Sequence, residues 1–119
     1  MTEIPNNKRY DLEERTLQFA KDIRSLIKKL PRTIGNIEDG KQLVRSSGSI
    51  GANYIEANES LSKEDFLMRI KICRKESKES RYWLNLLDIP QAIMQEWKRL
   101  LNESNELLKI FCSIANKSV

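Results

Sequence analysis

Residues 62–87 read SKEDFLMRIKICRKESKESRYWLNLL, and within them Phe66, Ile70, Cys73, Ser77, Ser80, Leu84 and Leu87 recur at alternating steps of four and three. That is the period of one face of an α-helix, sustained for about six turns. Ser62 with Asp65 three positions on is a helix-start signal: the hydroxyl takes an orphan backbone donor, and the carboxylate lies at the positive end of the helix dipole. The middle of the seam is small, so Ser77 and Ser80 are expected to face a closely packed neighbour. A second row, Met68, Ile72, Trp83 and Leu86, makes the helix apolar on more than one side. Contact with another subunit and a fully interior helix are both open readings of that row.

Working outward, the preceding segment from Ile37 to Asn58 places Leu43, Val44, Ser47, Ile50, Gly51 and Tyr54 on one side. Gly48 and Gly51 each cost about 1 kcal/mol in a helix interior relative to alanine. Close approach of the next helix, whose own seam is serine-rich, is the expected compensation, with a kink near Gly48 as the alternative. Before it, Leu12, Thr16, Phe19, Ile23, Leu26 and Leu30 make a further stripe, widened by Ala20 and Ile27 and closed by Pro31. Its opposite face carries Arg15, Lys21, Asp22, Arg24 and Lys28, of which Lys21, Arg24 and Lys28 form a second, weaker basic row, and Thr33 to Asn36 reads as a loop. Beyond the quoted stretch, Asp88-Ile89-Pro90 is a turn, and Ile93, Trp97, Leu100, Leu101, Ser104, Leu107, Leu108, Phe111, Cys112, Ile114 and Ala115 keep the helical period. The spacing thus predicts an all-α chain of four helices, approximately 11–30, 37–58, 63–88 and 90–116. Short connections make them an antiparallel up-down-up-down bundle in one domain, 1–119.

Composition narrows the chemistry. The 119 residues contain no histidine, which removes Ser-His and Cys-His nucleophile pairs, Cys/His zinc fingers and Glu-x-x-His di-iron sites within one chain. The two cysteines, Cys73 and Cys112, lie far apart inside apolar patterns and read as reduced core thiols. No apolar run is long enough to cross a bilayer, and the polar N-terminus carries no secretory signal, so the expectation is a cytoplasmic protein with no membrane partner, cofactor or metal. With 39% hydrophobic and 32% charged residues and a formal charge of +4, the distribution of charge matters more than its sum.

That distribution is informative on the third helix. Lys71, Arg74, Lys75, Lys78 and Arg81 lie within one arc. Five cations along roughly 15 Å of helix match the phosphates of a nucleic-acid backbone. Glu76 and Glu79 interrupt the stripe in sequence, and charged helix faces are often merely solvated. A polar line on the second helix, Arg45, Ser49, Asn53 and Glu56, also keeps helical spacing. If it faces another helix, Arg45 needs a carboxylate such as Glu76 or Glu79, and its role is structural. No nucleophile or oxyanion site accompanies it, so the expectation is a protein without enzymatic activity. Tyr82 and Trp83 beside Arg81 are candidates for base stacking or for interface burial.

The segment Gln42-Leu43-Val44-Arg45-Ser46-Ser47-Gly48-Ser49-Ile50-Gly51-Ala52-Asn53, continuing through Glu56 to Ser62-Lys63-Glu64-Asp65-Phe66, resembles the bacterial four-helix-bundle proteins encoded in intervening sequences of 23S ribosomal RNA genes. Arg69 to Leu84 is similar to the third helix of that family, and Leu30-Pro31 to its first turn. Many members carry Ala and Gly where this chain has Ile55 and Ala57, which suggests a subgroup. The resemblance implies a four-helix bundle that often assembles as a ring-shaped homopentamer, and it adds no catalytic residue. The family is similar in turn to accessory proteins of diversity-generating retroelements, basic pentameric barrels that engage a reverse transcriptase and nucleic acid. The functional expectation is an oligomer that binds RNA or DNA backbone through its basic helix face; the alternative is a scaffold or accessory subunit for a protein such as a reverse transcriptase.

Overall fold

The computed structural model describes the backbone of residues 4–119 and the side chains of residues 12–119. Four helices follow in order: α1 (Ile4–Lys28), α2 (Ile34–Asn58), α3 (Lys63–Leu86) and α4 (Met94–Lys117), with a short 3-10 turn, Gln91–Ile93, ahead of α4. They form an all-α bundle around one apolar core. Phe19, Ile23 and Leu26 enter it from α1, Leu43 and Ile50 from α2, Ile70, Cys73 and Leu84 from α3, and Leu100, Leu107 and Phe111 from α4. Each buried Leu, Ile or Phe contributes about 1.5–3 kcal/mol relative to exposure. Burial also pushes the Cys73 thiol up to about 12, since the thiolate would lose its hydration there.

Neighbouring helices run antiparallel, as paired contacts with opposed numbering show. Across α2 and α3, Ser46 and Ser80 share a hydrogen bond at 2.8 Å, the Cys73 thiol donates to the Ile50 carbonyl at 3.4 Å, and Arg69 donates to Asn53 Oδ1 at 2.9 Å. Across α3 and α4, Arg81 donates to Asn105 Oδ1 at 3.1 Å and the Trp97 indole to the Leu84 carbonyl at 2.9 Å. The α2–α3 seam is the most extensively packed and the α1–α4 seam the sparsest.

Several boundaries differ from the sequence expectation, each for a local reason. Helix α1 begins earlier, at Ile4, and ends at Lys28, because Lys29 and Leu30 donate to the carbonyls of Leu26 and Ile27 in a tightened last turn before Pro31. The stretch expected as a loop from Thr33 to Asn36 is the start of α2. Thr33 is extended, and its hydroxyl accepts from the Asn36 amide at 3.1 Å, capping the helix. Helix α3 ends at Leu86, because Leu87 is already extended, and the last helix starts at Met94 instead of Pro90, because Pro90 is extended and Gln91–Ile93 form the 3-10 turn. Ser62 caps α3 as expected, accepting from the Asp65 amide at 3.0 Å.

The glycines also act differently from expectation. Gly51 faces α1, where an added Cβ would lie 2.8 Å from Thr16 Oγ1, and Gly40 faces Ile27 of the same helix. A Cβ at Gly48 would meet nothing within 4 Å, and α2 runs through it without a break. Close approach of α2 and α3 therefore rests on Ser46 and Ser80, while glycine serves the α1–α2 seam. Ser77 is buried, but its hydroxyl donates to the Cys73 carbonyl of its own helix at 2.8 Å.

Candidate nucleic-acid interface

The outer side of α3 is set by what its other sides touch. Ile70, Cys73, Ser77, Ser80 and Leu84 enter the core, Glu76 and Glu79 turn toward α2, and Arg81 leans on α4. What remains outward is a row at steps of four, three and four: Lys71, Lys75, Lys78 and Tyr82, all exposed. Arg74 and Arg81 flank it on the α4 side, half-buried.

The two carboxylates that interrupt the stripe in sequence do not interrupt it in space. Glu79 takes an Arg45 hydrogen bond at 3.0 Å, and Glu76 lies 3.6 Å from the same guanidinium with a side chain only 6% exposed. Lys75 lies 3.8 Å from Glu76. Among the described residues, no ion pair reaches Lys71, Arg74 or Lys78.

Two carboxylates of α4 are similarly drawn away. Glu103 accepts two bonds from Arg15 at 2.7 and 2.9 Å, and Glu96 pairs with Lys29 at 2.8 Å, while Arg99 of α4 meets Asp22 at 3.3 Å. These three links bridge α1 and α4. The sparse apolar packing of this seam leaves room for these long charged side chains. Lys98, exposed and seven residues before Asn105, stands in the row of α4 that meets Arg81 and extends the positive surface.

The polar line of α2 is not one buried unit. Arg45 is half exposed while holding both carboxylates, and the Asn53 amide donates to the Ser49 carbonyl at 2.9 Å and to its hydroxyl at 3.0 Å. Glu56 points outward and joins none of these contacts among the described residues. Glu56 keeps the angular position of the line but lies in the last turn of α2, two residues before its end at Asn58. Arg69, the partner of Asn53, carried no signal in the sequence beyond its charge. Asn36 was missed altogether. Buried to 4% exposure, its amide donates to the carbonyls of Pro31 and Asp88, both at 3.1 Å, and its oxygen accepts from the Asp88 amide at 2.9 Å. It ties the α1–α2 turn to the α3–α4 turn.

Beside the cationic row, Met68, Leu86 and Ile55 of α2 are each about half exposed. The buried Trp83 Nε1 has no hydrogen-bond partner among the described residues, and the buried Glu76 Oε1 has only the Arg45 guanidinium at 3.6 Å. Among the described residues no group of three His, Cys, Asp or Glu side chains gathers to hold a metal ion, and no helix is long and apolar enough to cross a membrane.

The family described as 23S rRNA-intervening sequence protein matches residues 8–118. The chain belongs to that family. A crystal structure of a protein of unknown function from the S23 ribosomal protein family of Bacteroides thetaiotaomicron VPI-5482 is similar at 33% identity and a TM-score of 0.77. The match covers 92% of this chain and 98% of that one. No curated protein matches the chain. The four-helix fold of this intervening sequence protein is shared with that structure.

Proposed function

We propose that this intervening sequence protein is a non-enzymatic, cytoplasmic, oligomeric bundle that binds the backbone of RNA or DNA through Lys71, Arg74, Lys75, Lys78 and Arg81. The observation that carries the reading is the withdrawal of Glu76 and Glu79 onto Arg45, which leaves Lys71, Arg74 and Lys78 without carboxylate partners on an exposed helix face. Unpaired cations at steps of three and four release counterions when they meet phosphates, so affinity is steeply salt-dependent. The test is a salt titration of RNA and DNA binding. Replacing Lys71, Arg74, Lys78 and Arg81 by glutamine lowers the slope of log K against log salt by about 3 for a single strand, at about 0.7 per phosphate contact. Undetectable binding at low salt, or an unchanged slope in the variant, refutes the reading.

A second reading, a protein-interaction scaffold or accessory subunit, draws on a different observation. Met68 and Leu86 of α3 and Ile55 of α2 are half exposed, and the Trp83 indole N–H is buried without a hydrogen-bond partner among the described residues. A buried donor or acceptor without a partner costs about 1–3 kcal/mol, and a covering chain supplies the missing contacts. That chain is a second copy in the homopentamer the family resemblance implies, or a partner such as a reverse transcriptase. Light scattering that gives a stable monomer at micromolar concentration removes the homo-oligomer.

A further inference from the structure

We infer that the nucleic acid taken by this face is single-stranded, and that one of its bases stacks on Tyr82. The inference rests on the nucleic-acid reading above and adds the class of strand. Tyr82 is the next member of the lysine row: Lys71, Lys75, Lys78 and Tyr82 succeed one another at steps of four, three and four, and all four are exposed. Tyr82 is 59% exposed, a large aromatic residue left in water beside cations. It is also held. The Trp83 ring meets it edge-on, with centroids 5.1 Å apart and planes at 78°, so the Tyr82 side chain has a support and an outward surface. Lys98 lies across the α3–α4 seam toward the same end of the row, since its row-mate Asn105 binds Arg81.

The shape of the face argues against duplex readout. A helix with side chains is about 10–12 Å across and enters a major groove of about 12 Å width only when it stands clear of its neighbours. Helix α3 packs against α2 on one side and α4 on the other, its two most extensive seams being these. Only its outer rim is presented, and base edges at the floor of a groove lie out of reach. A single strand brings its bases to the surface instead. Cations that track phosphates, ending in an aromatic platform, are the arrangement by which sequence-tolerant single-strand binders work.

The test compares a labelled single-stranded RNA of about 12 nucleotides, within the range such surfaces occupy, with a blunt duplex of the same length by fluorescence anisotropy. The proteins are the full chain, Tyr82→Ala, Tyr82→Phe and Lys71→Gln/Lys78→Gln. Tyr82→Ala is expected to weaken single-strand binding about tenfold, the weight of one base–aromatic stack, and to leave duplex binding unchanged. Tyr82→Phe, which keeps the ring, retains single-strand affinity. Loss of duplex and single-strand affinity alike in Tyr82→Ala, or no loss of either, overturns the stacking while the lysine variant still reports on the phosphate contacts. A wild-type chain that binds neither probe at low salt overturns both readings together.

Discussion

Alanine at Gly48 and alanine at Gly51, one helical turn apart, should move the stability of the protein in opposite directions. At Gly48 the added Cβ meets nothing within 4 Å. Only the helix preference of alanine over glycine acts there, worth about 1 kcal/mol of stabilisation. At Gly51 the same preference is set against a Cβ placed 2.8 Å from Thr16 Oγ1 and 3.3 Å from Thr16 Cβ. Thr16 cannot easily turn aside. It is 1% exposed, and its hydroxyl donates to the Leu12 carbonyl at 2.7 Å. Overpacking of this kind costs about 1–3 kcal/mol, so Gly51→Ala should end about 1 kcal/mol less stable than wild type. Urea denaturation at one fixed protein concentration separates the two variants by about 2 kcal/mol, or about 1 M in midpoint for an m-value near 2 kcal/mol/M. A double-mutant cycle with Thr16→Ala should recover much of the Gly51→Ala loss. Midpoints that shift the same way, or a Gly51→Ala loss untouched by Thr16→Ala, would refute the assignment of Gly51 to the α1–α2 seam.

Two further outcomes follow from single side chains. Asn36→Ala removes three hydrogen bonds from the Pro31 and Asp88 backbone; a loss of about 3 kcal/mol is expected, at roughly 1 kcal/mol per bond, visible as a lower denaturation midpoint. Burial pushes the Cys73 thiol of the folded chain up to about 12, from an ordinary 9.0. Below pH 9 both folded and unfolded chains hold the proton. Above it the unfolded chain releases the proton first, so this group's stabilisation falls by about 1.4 kcal/mol per pH unit toward pH 12. Wild type minus Cys73→Ala, measured by chemical denaturation from pH 8 to 11, should show that decline; a flat difference counts against burial of the thiol.

The period of the apolar residues carried most of the fold. The seam from Phe66 to Leu84 could be placed from spacing alone because only a helix returns those positions to one side, and Ser62 marked its start. What spacing could not carry was which neighbour each side faces. Gly51 and Ser46 are both small residues of α2, yet one meets Thr16 of α1 and the other Ser80 of α3. Five residues along a helix turn a side chain by well over a quarter circle, and only the packed bundle decides which helix lies there. The cationic row was legible for the same reason as the core seam. That Glu76 and Glu79 leave Lys71, Arg74 and Lys78 unpaired was not, because the direction of a long carboxylate depends on Arg45, thirty-odd positions away. Asn36 was illegible in principle: a lone Asn near Pro31 and Gly35 reads as part of a turn, and its real work is done on Asp88, far along the chain.

That one amide gives the two ends of the molecule unequal mechanical character. At the Asn36 end, both reversals of the chain share a single fastening, so neither can peel away without releasing the other. At the opposite end a recess of about 780 Å³ opens among Leu12, Tyr54, Phe66 and Ile114, where the Asn58 amide donates to the Glu13 carboxylate at 2.8 Å and joins two helices, not two turns of the chain. Thermal breathing should therefore start at the recess and travel toward the fastening, and amide protons near Tyr54 and Phe66 should trade with solvent sooner than those near Val44 and Leu84.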